Sequence, residues 1–213
     1  MLNTIHSFES DKDKKAANLF FLKIAKIIRI ITIPPVCAII LITILYTKTS
    51  IVFNNWYEFI IAIFTIAIIP VLAYPVQKKF NIIKLNNKRT AERNLAIIFS
   101  ISGYFGGLLF SIISKTPNFQ QILYITYLLT GLGIAFGTFI LKIKFSGHMA
   151  GISGPIITLS YLISYYFLFL YLILAIVMWA SLYTKNHTFK EASYGSLLPI
   201  LAFILANLII FIK

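Results

Sequence analysis

The chain has 213 residues, 59% hydrophobic and 12% charged, with a mean hydropathy of +0.89 and a formal net charge of +13. A soluble domain is closer to half apolar and a quarter charged, so these values exclude a water-soluble globule and predict a polytopic membrane protein. The basic residues fall between apolar runs, which argues against nucleic acid and points to anionic headgroups, phosphate-bearing ligands or membrane topology.

The first eighteen residues, MLNTIHSFESDKDKKAAN, are polar and mixed in charge, without the basic-then-apolar order of a cleavable signal. Residues 1–25 are expected to form a polar, amphipathic N-terminal segment, and 26–213 a single transmembrane helical domain. NLFFLKIAKIIRI, 18–30, alternates bulky apolar residues with Lys23, Lys26 and Arg29, the pattern of a helix lying in the membrane interface. Spans are predicted at 26–47, 53–75, 95–114, 120–141, 148–164, 166–183 and 192–212. Residues 148–183 are too long for one helix at 1.5 Å per residue and divide into two short ones around Ser164-Tyr165-Tyr166. The expected fold is all-α, a transmembrane bundle of about six to seven spans behind an interfacial N-terminal helix. Pro34-Pro35, Pro70, Pro75, Pro155 and Pro199 are expected to kink or end helices, and Gly103, Gly106, Gly107, Gly133 and Gly137 to let helices approach closely. Cys37 is the single cysteine and lies in an apolar run, so no intrachain disulfide is possible. Glu58, beside Trp56 and Tyr57 near a span end, reads as an interface anchor.

These spans place the N-terminus, 76–94, 142–147 and 184–191 on one side of the membrane. Sixteen of the nineteen Lys and Arg residues lie there, against Lys48, Lys115 and Lys213 on the other, so that side is expected to be cytoplasmic. A phosphate-binding face is itself basic, and the same charge count fits both explanations.

The chemistry-bearing residues cluster on that side. His6 reads as solvated, whereas His148 and His187 stand at the mouths of two spans, where ionisable groups are costly and usually functional. Glu191 is four residues beyond His187, so with a span beginning near Asn186 both lie on one helical face. The carboxylate then either fixes the imidazole tautomer or simply occupies a helix N-terminus that favours acids. Ser146 and Gly147 open a span with a small turn whose free N–H groups suit an anion. Gly151, Ser153 and Gly154 continue a face of little bulk, for close packing or for a passing chain or headgroup. In KLNNKRTAERN, 84–94, Lys88, Arg89 and Arg93 either grip phosphate or fix orientation.

Together these elements resemble the type-2 phosphatidic acid phosphatase superfamily, the lipid-phosphate phosphatases related to vanadium haloperoxidases. FSGH, 145–148, is similar to that family's Pro-Ser-Gly-His motif in Ser146, Gly147 and His148. ASLYTKNHTFKE, 180–191, is similar to its Ser-Arg-x5-His-x3-Asp motif in His187, with Glu191 in place of Asp. The resemblance covers roughly 76–212. It departs at Ser181, where the motif has arginine, at Ala180 for its serine, and in the first motif, Lys-x6-Arg-Pro, where Arg93 fits but Asn94 replaces proline and Asn86 replaces lysine. The resemblance implies attack on phosphorus by His187, oriented by Glu191, with His148 protonating the departing oxygen. Ser146, Gly147 and Arg93 would hold the phosphate, with Arg89, Lys88 or Lys185 as further cations. It implies no cofactor and a lipid phosphate or polyprenyl pyrophosphate substrate at the cell membrane. A lipid phosphotransferase with the same site, and a catalytically silent lipid- or partner-binding member, are the alternatives. Metal-dependent prenyl or CDP-alcohol transfer is not expected, because the only aspartates, Asp11 and Asp13, lie in the N-terminal segment.

Overall fold

A computed structural model describes residues 18–212; His6, Asp11, Asp13 and Lys213 lie outside them. The first proline pair decides how the chain enters the bundle. Pro34 and Pro35 lack backbone N–H groups, so they begin a helix more readily than they continue one. Helix α1 (Asn18–Ile31) therefore stops before them, and α2 (Pro34–Lys48) departs at 47°. The span expected at 26–47 is this bent pair.

Helix α3 (Trp56–Phe80) carries a wide turn at Phe64–Ile68, where the Ile69 N–H bonds back five residues to Phe64 O. Pro70 follows directly, and the extra residue in the turn absorbs its missing donor and ring bulk. The loop after α3 is folded by the Gln77 amide, which donates to Ile83 O at 2.8 Å and accepts from Ile83 N at 3.0 Å. Helix α4 (Lys88–Ile113) starts at the Asn87 cap, seven residues before the predicted 95, so Lys88, Arg89 and Arg93 belong to its first turns. Helix α5 (Asn118–Ile140) ends in a second wide turn, Phe136–Ile140. Helices α6 (Gly147–Leu162), α7 (Tyr165–Tyr183) and α8 (Phe189–Phe211) complete an all-α polytopic bundle.

Among the described residues, helices α3, α4, α5, α7 and α8 are long and apolar enough to cross a bilayer, and the α1–α2 pair makes six if it acts as one span. Helix α6 differs from the expected full span. Its 16 residues rise about 24 Å, short of the roughly 30 Å hydrocarbon core. It is buried along most of its length, between α2 and α8.

Small residues set the helix spacings. A Cβ at position 103 would lie 2.4 Å from Thr65 O in the wide turn of α3, and one at 107 would strike the buried Tyr124 ring at 2.2 Å. Gly133 meets Leu198 of α8 and Gly137 meets Phe145, whereas Gly106 faces open space and makes no close contact. Glu58 is not an interface anchor: it is 2% exposed, and its Oε2 accepts from Asn54 N at 2.8 Å. Gln120, its amide turned to donate, reaches the same oxygen at 3.0 Å. The carboxylate ties the α2–α3 loop to α5, a burial sustained by these donors.

Replacing Gly103 with alanine is expected to cost about 1–3 kcal/mol, because a backbone carbonyl cannot move aside as a side chain does. Gly106→Ala, with nothing within 4 Å of its Cβ, is expected to unfold at the wild-type temperature. Thermal unfolding of the purified variants in detergent measures both.

Candidate functional site

The site forms where the N-terminus of α6 rests on the first turn of α8. Ser146 N donates to Glu191 O at 3.1 Å, and Ser146 O lies against Gly195 so closely that a Cβ there would be 2.3 Å away. Only glycine allows that approach. The Ser146 side chain caps α6 by accepting from Met149 N at 3.3 Å, and Ser146 is fully buried. Its hydroxyl is thus engaged in holding the helix, and the residue does not line the cavity that Gly147 and His148 face.

That cavity has a volume of about 570 Å³ and runs into the bundle between α2, α3, α4, α5 and α6. Both histidines, 39 positions apart in the sequence, line it at the α6–α8 end. His187 lies in the α7–α8 loop, because α8 begins at Phe189 and not near Asn186. Its contact with Glu191 is made through a capping box. Glu191 N donates to Thr188 Oγ1 at 3.3 Å, and Glu191 Oε2 accepts from Thr188 N and from His187 Nδ1, each at 3.1 Å. A carboxylate only accepts, so the imidazole carries its proton on Nδ1 and presents a lone pair on Nε2. The two readings of Glu191 open in the sequence, tautomer holder and helix-terminus acid, are met by one oxygen.

His148, second residue of α6, has Nε2 3.0 Å from Thr32 Oγ1. The single Thr32 hydroxyl proton goes to Ile28 O at 2.7 Å, so His148 donates from Nε2 and leaves Nδ1 as its free nitrogen. Thr32 sits in the break between α1 and α2, a position whose role sequence reasoning missed.

The cations divide into two groups. Arg93 lines the cavity, and among the described residues its Nε and Nη1 are buried without a partner. A buried guanidinium without acceptors is unfavourable unless an anion completes it. Arg89, one turn earlier, instead donates to Asn186 Oδ1. Asn186 Nδ2 donates to Thr184 Oγ1 at 2.6 Å, and Thr184 Oγ1 also accepts from Arg29 Nη1 at 3.3 Å. The loop bearing His187 is thus held between guanidiniums from α1 and α4. Arg29, read from the sequence only as part of an interfacial helix, does not line the cavity but holds the turn before His187 and lies near enough to act on that imidazole. Lys88 and Lys185 are exposed and line no part of the cavity; Lys185 has a left-handed backbone, φ 53°, in the α7–α8 turn. Ser181, where the motif has arginine, is fully buried in α7 with its hydroxyl unpartnered among the described residues.

Burial holds the His187 imidazole below its ordinary value of 6.5; the Glu191 hydrogen bond pulls it up, and Lys144 and Arg29 push it further down. Lys144, in the α5–α6 loop, is likewise lowered by burial and by Arg93, against an upward pull from Glu191. Sequence reasoning passed over Lys144, although it stands two residues before Ser146. Gly151 packs on Pro34, and Ser153 Oγ donates to Ser196 O at 2.7 Å, so the low-bulk face of α6 is chiefly a packing surface; Gly151 and Gly154 also form cavity wall. No three His, Cys, Asp or Glu side chains among the described residues gather as a metal site. The chain matches no protein-family model, no curated protein and no solved structure.

A lowered His187 gains its proton only below the ordinary imidazole range, so at neutral pH it is a free base. Imidazole NMR titration is expected to give a His187 midpoint below 6.5. Glu191→Gln removes an upward influence and is expected to lower the midpoint further.

Proposed function

We propose that the protein is an integral-membrane phosphatase that hydrolyses a lipid phosphate or isoprenoid pyrophosphate through a phosphohistidine intermediate. The observation that carries this reading is the convergence of His187, His148 and the unpartnered Arg93 guanidinium on one end of a cavity that is otherwise largely apolar. The motif resemblance supports it independently, since it singles out the same two histidines.

In this mechanism the Nε2 lone pair of His187 attacks phosphorus while Nδ1–H stays bonded to Glu191. The phosphoester or phosphoanhydride P–O bond breaks, and the departing oxygen takes a proton from Nδ1 of His148. Entry of the anionic headgroup favours that protonated state of His148. Neutral His148 then takes a proton from water, the hydroxide displaces the P–N bond, and inorganic phosphate leaves. Arg93 and the amide of Gly147 neutralise charge on the equatorial oxygens. Arg29, held at Thr184, brings a guanidinium to the end of α7, three residues beyond Ser181, where the motif has arginine. The basic side, and the site with it, is assigned to the cytoplasmic face by the positive-inside rule.

Purified protein is expected to release phosphate from a panel of lipid phosphates and diphosphates, and His187→Ala to abolish it. His148→Ala is expected to lower the rate about 100- to 10,000-fold, and Arg93→Ala about 100- to 1,000-fold. The acid limb of the pH–rate profile should fall below 6.5, following His187. Activity surviving His187→Ala rejects the phosphohistidine mechanism. Transfer to added alcohols would make the protein a phosphotransferase, and vanadate binding without turnover would make it a silent lipid-phosphate binder.

A further inference from the structure

The cavity extends well past the groups that phosphate chemistry requires. Along α4 it is lined by Arg93, Ser100 and Tyr104, so it reaches roughly 16 Å below the headgroup end, eleven residues at the helical rise. Ile66 of α3, Ala38 of α2 and Tyr127 of α5 close its inner part. The volume, about 570 Å³, is that of a site for one ligand, in the usual range of about 300–1,000 Å³.

The wall is uneven. Ala38, Ile66 and Ala150 are at most 5% exposed, so the wall is sealed there. Apart from Gly147 at the mouth, the exposed lining residues among those described are Ile33, Val71 and Tyr74, at 41, 39 and 49%. These three lie at two edges only: the α1–α2 break, and the half of α3 beyond its wide turn. Both edges are built on prolines, Pro34 and Pro35 on one and Pro70 and Pro75 on the other. The same side chains face the cavity and the surroundings of an apolar helix, which in a membrane bundle means lipid.

We propose that the cavity is loaded sideways from the bilayer, through an opening between the α1–α2 break and the Pro70–Tyr74 turn of α3, so that one hydrocarbon tail of a phosphate-bearing lipid lies along α4 with its headgroup at Arg93. The identity of the headgroup rests on the phosphatase reading above. The path does not depend on turnover. Charge complementarity selects the occupant: the apolar chamber accepts any tail, and Arg93 at its mouth retains an anionic one. A second tail, where the lipid has one, remains in the bilayer.

The full chain, reconstituted in phosphatidylcholine vesicles, is exposed to a long-chain phosphate monoester with a diazirine near the end of its tail, irradiated, and mapped by peptide mass spectrometry. Label is expected on Tyr104 and Tyr127, and a neutral alcohol with the same tail should label them several-fold less. Val71→Trp, which fills the opening, is expected to reduce this labelling about tenfold, equivalent to about 1.4 kcal/mol. Ile33→Trp fills it from the other edge, and Leu109→Trp, on the outer surface of α4, should leave labelling unchanged. Label confined to outward residues such as Phe105 and Ile112, equal labelling by the neutral lipid, or full labelling in monodisperse Val71→Trp and Ile33→Trp would each overturn the proposal. The wild-type map decides even if both variants fail to fold. Labelling without phosphate release would reject the phosphatase reading and leave the path standing.

Discussion

The contact on which the rest depends is the seating of the α6 N-terminus on the first turn of α8. The bond from Ser146 N to Glu191 O and the close approach of Ser146 O to Gly195 fix two helix starts against each other. His148 is on the first of these starts and His187 directly precedes the cap of the second, so backbone contacts set where the two stand relative to each other. The caps reinforce this, since Ser146 and Thr188 each hold their own helix by accepting a backbone N–H. Two imidazoles carried next to capped helix ends are pre-organised, which is what the proposed attack and protonation at one phosphorus would require.

Around this seat the electrostatics are lopsided. Arg29 and Lys144 act on His187, Arg93 and Arg89 lie close to Lys144, and Glu191 is the carboxylate counterweight to His187, Lys144 and Arg93. Arg29 and Arg89 find acceptors in the Thr184–Asn186 turn and brace it, although Arg29 Nε stays buried without a partner among the described residues, as do Nε and Nη1 of Arg93. Among chemically identical side chains, bracing thus falls to those that reach an acceptor. Glu191 serves cap and imidazole with one oxygen, so its loss would loosen the α8 start and the His187 tautomer together.

The departures from regular helix also act as a set. The proline break after α1, the wide turn and Pro70 in α3, and the short α6 all border the cavity. Regular, full-length helices in those places would pack face to face and close it. Breaks of this kind are tolerated at membrane depth where the freed backbone faces protein or a cavity. The same features that separate the helices leave Ile33, Val71 and Tyr74 facing both chamber and lipid.

Helix content, the membrane setting, and the gathering of His148, His187 and Arg93 on one side were legible in the sequence, because apolar run length and loop charge are local properties that a bilayer imposes on any chain. The pairing of His187 with Glu191 was legible from their four-residue spacing, but not its cause, because His187 lies before the Thr188 cap and not on the helical face that the spacing suggested. Thr32 and Arg29 were not: their partners His148 and Thr184 lie 116 and 155 residues away, and no periodicity encodes such a contact. Nor could Arg89 be told from Arg93, four residues apart on one helix, until the Asn186 turn folded against the first. Local composition determined what could cross the membrane, and packing alone decided which polar groups remained free to meet a ligand, because a side chain's availability depends on partners brought to it from elsewhere in the chain.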